Sequence, residues 1–265
     1  MRVTVLGSGS RGNAILVESG DDALLVDAGF SHRTLEQRLS AAGRSAGAVR
    51  AIAITHEHGD HARGAARAAR AWGVPVAASR GTLRALALHA ETRAIALAPA
   101  RAVTVPPFRV TCFPITHDAA DPVMLVVEDP AGIRIGVAFD LGMATSALRH
   151  ALRGLDGLVI ESNHDEVLLR SSSYPASVRS RIAGHGGHLS NRQTAELLAA
   201  CAHAGLGLVV LAHVSELCNR PDLALAEARG ALRGTAFRGR IVVAGQDAPT
   251  PTLEVGAAQL ALPLG

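Results

Sequence analysis

The sequence predicts an α/β fold in which helices cover the outside of stacked β-sheets. Short apolar, β-branched runs recur along the 265 residues. The first three runs are joined by connections too short for a crossover helix, which predicts an antiparallel meander. Later runs alternate with segments of helical period, which predicts parallel strands. A layered α/β sandwich accommodates both patterns.

Eleven runs have the length and composition of strands. In chain order they are RVTVL, NAILVES, ALLVDAG, VRAIAIT, VPVAAS, FRVTCFPIT, PVMLVVE, IRIGVAFD, DGLVIES, LGLVVLAH and RIVVAG. Helical spacing predicts helices over residues 31–42, 61–72, 80–88, 143–153, 174–183, 191–204 and 221–233. Ser190 and Gln193 form a capping-box pattern, and Pro221 suits a first helical turn. Because no repeat or low-complexity linker interrupts the series, we expect a single domain over residues 1–265.

Composition favours a soluble, cytoplasmic protein without membrane contact. Hydrophobic residues make up 48% of the chain, enough for a sizeable core. No window approaches the roughly 18 consecutive apolar residues of a membrane span, and the start lacks a signal-peptide pattern. Cys112, Cys201 and Cys218 lie far apart, so neither a disulfide framework nor a thiolate zinc site is expected. The net charge of +3 permits a polyanionic partner and favours one only weakly.

The glycine-rich segment GSGSRG at residues 7–12 matches the dinucleotide-binding pattern G-x-G-x-x-G. That pattern requires a helix to begin at the third glycine, so that its N-terminus meets the pyrophosphate. The following residues, NAILVES, alternate and are β-branched instead. We therefore expect a strand-to-strand turn, and no dinucleotide site.

The segment THEHGDH, residues 55–61, places three histidines and two carboxylates directly after the apolar run AIAI. Imidazole and carboxylate are ligands for zinc, manganese and iron. His56 and His58 lie two apart in an extended segment and can share one ion. Asp60 and His61 follow the turn at Gly59 and could face a second ion.

A catalytic ion needs about three protein ligands and an open position, so other segments must contribute. Three further candidates end predicted strands, where rigid backbone delivers side chains into loops: His117, Asp140 and His213. Asp140 could bridge two ions. Asp27, at the end of ALLVDAG, is expected to orient a ligand histidine through its other ring nitrogen.

This ordered set resembles the metallo-β-lactamase superfamily across essentially the whole chain. The resemblance implies an αββα sandwich of two mixed sheets with outer helices, and two divalent ions, Zn²⁺ or Mn²⁺ with Fe as a further option, at the edge between the sheets. It assigns the first ion to His56, His58, His117 and Asp140. It assigns the second ion to Asp60, His61 and His213, with Asp140 as the bridge.

Longer strings are similar to the YycJ/WalJ family: GSGSRGN near the start, ESNHD (161–165), RIAGHGGHLSN (181–191) and HVSELCNRP (213–221). The resemblance implies a metal-dependent 5′–3′ DNA exonuclease linked to mismatch repair, with mismatch-repair proteins as candidate partners. Cys218 departs from the family's HLSxENNxP run, which has an asparagine there.

A looser similarity connects Glu161-Ser162 and the GHLS segment, residues 187–190, with the β-CASP nucleases. It implies that His188 contacts the scissile phosphate and protonates the leaving oxygen, held in orientation by Glu161. His164 has either a role near the phosphate or a structural hydrogen bond. His32, His89, His150 and His203 are interpreted as surface or packing residues, and His185 remains open.

The expected mechanism is hydrolysis of a phosphodiester by a hydroxide that bridges two ions about 3.5–4 Å apart. Recognition of DNA is expected through the backbone, independent of sequence. Stacking of Tyr174 on a terminal base is a further option. Four arginines near the proposed loops could grip flanking phosphates or be ordinary surface residues: Arg11, Arg179, Arg181 and Arg192.

Three alternatives stay open at the level of sequence. A metal hydrolase of this type could act on a small phosphodiester, a lactone or a thioester. An iron-containing oxidoreductase is disfavoured because 265 residues leave no room for a flavodoxin-like domain. A non-catalytic binding module is disfavoured because all seven presumed ligands are present.

Overall fold

The computed structural model describes residues 1–88 and 92–256. In this part of the chain, fourteen strands form two seven-stranded sheets. The strands are β1 (Arg2–Gly7), β2 (Ala14–Ser19), β3 (Asp22–Val26), β4 (Val49–Ile54), β5 (Val76–Ser79), β6 (Ala94–Leu97), β7 (Val103–Val105), β8 (Phe108–Pro114), β9 (Val123–Glu128), β10 (Arg134–Ala138), β11 (Gly157–Glu161), β12 (Leu208–Ala212), β13 (Arg240–Val243) and β14 (Leu253–Glu254).

Helices occupy the connections between the strands. They are α1 (His32–Ala41), α2 (Gly59–Ala62), α3 (Ala65–Trp72), α4 (Arg80–Ala85), α5 (Ser146–Ala151), α6 (Glu166–Ser171), α7 (Ala176–Ile182), α8 (Asn191–Cys201) and α9 (Pro221–Leu232). None of the helices described here combines the length and the apolar character that a membrane span requires.

Each sheet mixes antiparallel and parallel pairing. The first has the order β14-β1-β2-β3-β4-β5-β6, and the second has the order β13-β12-β11-β10-β9-β8-β7. Strands β1 to β3 form the antiparallel meander that the short connections predicted. Strands β3 to β6 are parallel to one another, and so are strands β10 to β13. The carboxyl ends of parallel strands share one edge of a sheet, so the loops that follow them meet there.

Alternation along each strand divides the core into three apolar layers. In β12, Leu208, Val210 and Ala212 join a cluster between the two sheets, whereas Val209 and Leu211 face the outer helices. Successive side chains of a strand point to opposite faces, so a strand apolar on both faces must be covered on both sides. The αββα sandwich predicted from the sequence is therefore confirmed.

Local differences from the predicted elements have identifiable causes. The predicted helix over residues 61–72 is two helices, because the Gly64 N–H donates to the Ala28 carbonyl at 2.8 Å and not to a carbonyl of the preceding helical turn. Strands β6, β7 and β14 are two to four residues long and carry little periodic signal. Helix α6 is six residues long and begins after Asp165, whose Oδ1 accepts the N–H groups of Val167 and Leu168. His89 lies outside the described residues.

The segment GSGSRG is a turn between β1 and β2, as predicted, and β2 follows it where a dinucleotide site would need a helix. The Asn13 side chain holds the turn closed, since its Oδ1 accepts from Ser8 Oγ at 2.7 Å and from the Gly9 N–H at 3.0 Å. The Asn13 N–H donates to the Asp60 carbonyl at 2.7 Å. The turn is thereby joined to the loop that follows β4.

Candidate metal centre

Strand β4 delivers the first group of polar side chains at its carboxyl end. After β4 the chain bends at Thr55 and Glu57 and then turns into helix α2, where the N–H groups of His61 and Ala62 both donate to the His58 carbonyl at 2.9 Å. His56 and His58 therefore project from the irregular segment before the helix, whereas Asp60 and His61 project from a helical turn. Both His56 and His61 are completely buried.

His56, His58 and His117 bring their ring nitrogens together. His58 Nδ1 lies 3.1 Å from His56 Nε2 and 3.2 Å from His117 Nε2. His117 reaches this position from the loop after β8, which docks on the β4 loop because the Ala120 N–H donates to Glu57 Oε1 at 2.6 Å. Three imidazoles on two loops thus converge on one point.

Asp60, His61 and His213 form a second group beside the first. Asp60 Oδ2 lies 3.4 Å from His61 Nε2 and 3.6 Å from His213 Nε2. His213 follows β12 and is held by its backbone, since its N–H donates to Ser8 Oγ at 2.8 Å. The GSGSRG turn therefore supports this side of the site.

Asp140 lies between the two groups. Its Oδ2 is 2.8 Å from His61 Nε2 and 3.5 Å from His56 Nε2, and its Oδ1 is 3.3 Å from His213 Nδ1. The backbone of Asp140 has a φ of +55°, a left-handed conformation that is unfavourable for a non-glycine residue. Asp27 and His213, which also end strands, have φ values of +60° and +51°. All three residues belong to this site, where strained backbone conformations are common.

The donor set fits divalent cations. His213 Nε2 is buried and has no hydrogen-bond partner among the residues that the structure describes, and Asp140 Oδ2 is surrounded by the ring nitrogens of His56 and His61. Buried polar atoms without partners cost free energy, so such atoms on convergent ligands indicate a cation. Nitrogen and carboxylate oxygen donors suit zinc, manganese and iron.

Asp27 fixes the ring orientation of His61. Its Oδ2 accepts from His61 Nδ1 at 2.7 Å, while its Oδ1 accepts the Thr55 N–H at 2.9 Å. With Nδ1 held by Asp27, the ring presents Nε2 to Asp60 and Asp140, and Nε2 is the nitrogen available to ligate a cation once its proton is lost. The contact that the sequence predicted for Asp27 is present.

Gly29 is required beside Asp27, because a Cβ atom on it would lie 1.7 Å from the Asp60 carbonyl oxygen. The loops after β3 and β4 therefore touch backbone to backbone. The last residue of the VDAG segment is explained by this close approach and requires no ligand.

Glu161 joins the Asp140 loop to the His188 loop. Its carboxylate accepts the N–H groups of Asp140 (3.2 Å), Leu141 (2.6 Å) and Leu189 (2.9 Å). Glu161 Oε2 also lies 3.1 Å from His188 Nδ1, which is 3.0 Å from Asp140 Oδ1. His188 is thus oriented by two carboxylates, and Nε2 is the nitrogen left for a ligand.

Electrostatics keep His188 and His213 charged without cations. Burial opposes the charged form of His188, but hydrogen bonds to Asp140 and Glu161 outweigh it and raise the pKa to about 10. Burial also opposes protonation of His213, but the charge of Asp140 and a contact with Asp60 raise the pKa to about 9. For His56, burial and the charge of His61 lower the pKa to about 2. Protons therefore occupy the Asp140 side of the site, and the His56 side stays neutral.

The pocket above these residues has a volume of about 430 Å³. Residues from the two groups, with Asp140 and His188, form one wall, and the other wall comes from Ser10, Asp118, Arg181, Ile182, Gly186 and Gly187. The Asp140 loop packs directly on the His185 loop, since a Cβ atom on Gly142 would lie 1.8 Å from the His185 carbonyl oxygen.

His164 lies away from this pocket, so its position does not support a role at the phosphate. After β11 the chain pairs with Ser190 in a single bridge, and neighbouring side chains point to opposite sides. Asn163 turns toward the site and donates to the His213 carbonyl at 3.0 Å. His164 turns away into a separate cavity of about 330 Å³, beside Glu166, Arg170 and Ser190.

The four candidate arginines differ in their partners. Arg11 contacts Glu216 and Asp247, and Arg192 contacts Glu166 and Glu196. Arg179 donates to the carbonyls of Ser172 and Tyr174. Arg181 lines the pocket.

The remaining predicted residues lie outside the pocket. Tyr174 is half-buried and is not part of the wall. His32 contacts Glu36 and Trp72, in agreement with a packing role. His203 Nδ1 accepts the Gly205 N–H at 3.1 Å, and His150 is exposed. His185 is exposed, and only its backbone touches the site at Gly142.

Two supporting residues were missed from the sequence. Asn13 Nδ2 lies 3.1 Å from His61 Nε2, and Asn163 holds the His213 carbonyl. The available signals were the asparagine that ends GSGSRGN and the asparagine after Glu161-Ser162 in ESNHD. Each contact joins segments more than 40 residues apart, so no local pattern could identify it.

We predict that Asp27→Ala destabilises the metal-free protein by about 3 kcal/mol, because it removes the acceptor of two buried groups, His61 and Thr55. Urea denaturation followed by circular dichroism measures the change. The control is Asp22→Ala at the start of β3, the strand that Asp27 follows; it removes an ion pair with the half-exposed Arg50 and should cost less than about 1 kcal/mol. Equal losses for both variants would contradict the role of Asp27.

Comparisons with known proteins extend the similarity beyond the histidine motif. A family model described as the metallo-beta-lactamase superfamily matches residues 7–155. A protein named exodeoxyribonuclease YycJ from Bacillus anthracis is 31% identical over 229 residues, covering 84% of this chain and 86% of the relative. Exodeoxyribonuclease WalJ from Streptococcus pneumoniae is 30% identical over 231 residues, covering 84% and 85%. The crystal structure of the metallo-beta-lactamase fold protein YhfI from Bacillus subtilis matches with a TM-score of 0.71 and 19% identity, covering 94% of this chain and 98% of that one.

Proposed function

Because this chain belongs to the metallo-beta-lactamase superfamily and, within it, to the family of the YycJ and WalJ exodeoxyribonucleases, we propose that it is a metal-dependent hydrolase that degrades DNA from a 5′ end. The observation that carries the proposal is the position of Asp140 between two groups of ligand-type side chains. One carboxylate can then serve two cations, the arrangement suited to phosphodiester hydrolysis.

The proposed ligands follow from the two groups. His56, His58 and His117 would hold one cation, and Asp60, His61 and His213 would hold the other, with Asp140 shared. The cations are Zn²⁺ or Mn²⁺, with iron as a chemical alternative. When bound, they supply Lewis acidity toward a phosphoryl oxygen and lower the pKa of coordinated water.

The chain's own residues orient the ligands and hold charge. Burial opposes ionisation of Asp140, but the charges of His213 and His61 outweigh it and lower its pKa well below the ordinary value. Asp140 is therefore a carboxylate at neutral pH. Asp27 accepts from His61 Nδ1 and so keeps Nε2, the nitrogen that would ligate a cation, directed into the site.

His188 is the proposed proton donor. It lines the pocket, and its Nδ1 is held by Glu161 and Asp140. With a pKa raised to about 10 it carries a proton at neutral pH, so Nε2–H can donate to a phosphoryl oxygen or to the departing 3′ oxygen. Glu161 acts through His188 as a positioning residue.

The proposed substrate is DNA held through its backbone without sequence preference, since base stacking has few candidate side chains among 3% aromatic residues. Excision of a DNA strand is a step that mismatch repair requires, so mismatch-repair proteins are the proposed partners. Three free, buried cysteines agree with a reducing, cytoplasmic location.

We predict that Asp140→Asn lowers exonuclease activity by about a thousandfold, because the shared ligand loses its charge. Purified, metal-reconstituted protein is assayed on duplex and single-stranded DNA and RNA labelled at the 5′ or the 3′ end. The control is Asp222→Asn, which alters an exposed carboxylate paired with Arg220. Turnover of small phosphodiesters, lactones or thioesters without degradation of DNA would refute the proposed substrate.

We predict that His188→Gln lowers kcat by about a hundredfold while the bound metal content stays unchanged, because general acid catalysis contributes about that factor. Steady-state kinetics and elemental analysis of the same preparation measure both quantities. His150→Gln, which changes an exposed histidine on α5, should keep the wild-type kcat. A parallel loss of metal in His188→Gln would instead make His188 a ligand.

We predict that binding of a divalent cation to the metal-free protein at pH 7 releases protons, because His213, with a pKa raised to about 9, must become neutral to ligate. Titration calorimetry in buffers of different ionisation enthalpy counts these protons, and His213→Gln should release fewer. The stabilisation of the metal-free fold by this charge is fully present below about pH 6.5 and is lost as the pH rises through about 9. Binding without proton release would contradict this charge state.

A further inference from the structure

The structure assigns Arg181 to a binding subsite for the 5′-terminal phosphate of the strand being degraded. This inference rests on the proposed exonuclease function and specifies its substrate as a 5′-phosphorylated DNA end. It depends on four observations: the place of Arg181 in the pocket wall, its lack of a close counter-ion, its fixed relation to His188, and the product that hydrolysis leaves behind.

Arg181 is the arginine among the residues lining the 430 Å³ pocket. It lies in the last turn of α7, a helix without a buried residue, and contacts Asp118 beside His117. The pocket volume is within the range of sites for small ligands and suits a terminal nucleotide better than a duplex. A phosphate at the rim would therefore belong to the end of a strand.

The charge of Arg181 is poorly neutralised by the protein. Its Nη1 lies 3.9 Å from Asp118 Oδ2, at the limit of an ion pair, and 74% of its side chain is exposed. The other Asp118 oxygen lies 3.3 Å from His117 Nε2, so this carboxylate is shared with the histidine group. By contrast, Arg11 is held by two carboxylates at 2.8 and 2.7 Å. Arg181 therefore retains N–H donors for an external anion.

A terminal phosphate is the anion that best fits this arginine. As a monoester it carries a charge of about −1.5 to −2 at pH 7, and it offers three acceptor oxygens. The planar guanidinium fork matches such a group with two parallel hydrogen bonds. An internal phosphodiester carries a single negative charge, so its attraction to the guanidinium is weaker.

Backbone contacts hold the end of α7, from which Arg181 projects, against the His188 loop. The His188 N–H donates to the Ile182 carbonyl at 2.8 Å, and the Gly187 N–H donates to the Gly184 carbonyl at 2.9 Å. A Cβ atom on Gly187 would lie 2.2 Å from the Arg181 carbonyl oxygen, so the helix end and the His188 loop pack directly. Terminal and scissile phosphates one nucleotide apart could thus be held at a constant spacing.

The product of each cycle recreates the ligand. In the proposed reaction a water oxygen bonds to phosphorus and the bond from phosphorus to the 3′ oxygen breaks. The released nucleotide keeps a 3′-hydroxyl, which takes up a proton, and the phosphate stays on the 5′ carbon of the shortened strand. Every cleavage therefore leaves a new 5′-phosphate that can bind the subsite. A strand that begins with a 5′-hydroxyl lacks this contact only during its first cleavage.

The test compares duplexes of one sequence that begin with a 5′-phosphate or a 5′-hydroxyl. We expect the wild-type, metal-reconstituted protein to remove the first nucleotide from the phosphorylated end at least about tenfold faster, the effect of one charge-assisted contact. The hydroxyl end should show a lag that ends after the first cleavage. Arg181→Ala should bring the ratio of the two first-cleavage rates close to one, and Arg181→Lys should keep part of it.

A binding measurement provides a second readout that needs no turnover. In metal-free protein kept in EDTA, fluorescence anisotropy should give a lower Kd for the phosphorylated oligonucleotide, and Arg181→Ala should remove the difference. Arg192→Ala is the matched control, because Arg192 is an exposed arginine held by Glu166 and Glu196 outside the pocket. For Arg192→Ala, the ratio of the two first-cleavage rates and the difference between the two Kd values should equal those of the wild type.

The outcomes separate the two proposals. If the wild type degrades no DNA, the proposed function fails, and this inference fails with it. If the wild type degrades both ends at equal rates, or if Arg181→Ala keeps the preference, the subsite is refuted and the exonuclease function stands. Thermal unfolding of each variant shows whether it is folded. If Arg181→Ala does not fold, the first-cleavage rates and the Kd values of Arg181→Lys test the subsite instead.

Discussion

The site depends on one constraint: the carboxylate of Asp140, 2% exposed, must be compensated where two sheets meet. An uncompensated charge in the interior costs several kcal/mol, so the surrounding groups are arranged to balance it. His61, His188 and His213 approach its two oxygens, and Glu161 takes the N–H groups of its loop. The compensating histidines come from three separate segments: His61 follows β4, His213 follows β12, and His188 precedes α8.

Compensation is achieved at a local conformational cost. Asp27, Asp140 and His213 each have a positive φ at the end of a strand, and strain of this kind costs about 1–3 kcal/mol per residue. Such conformations persist only where the surroundings determine them. Here the strands before them are buried on both faces, so the ends of the strands cannot move to relieve the strain.

The sequence predicted the strand ends because a buried strand that stops at a histidine or an aspartate leaves a clear signal. His56, His117, Asp140 and His213 were identified in this way, and the structure brings them together. Whether a residue faces the pocket or points away from it was less predictable. His164 points away from the pocket, and its backbone pairs with Ser190, which caps the N-terminus of helix α8. The partners of Arg11 lie more than 200 residues away along the chain, so its neutralisation could not be predicted either.

Protons and cations compete for the same lone pairs in this site. Without cations, His188 and His213 carry the positive charge that Asp60, Asp140 and Glu161 require, and cations replace part of that charge when they bind. The potential that a phosphate meets over these residues therefore changes with pH and with metal occupancy. Arg181 takes no part in this exchange of protons for cations, because a guanidinium stays protonated throughout the physiological range. The pocket thus combines a variable positive region, where bonds would be broken, with a constant one at its rim, where a strand end could be held before the chemistry begins.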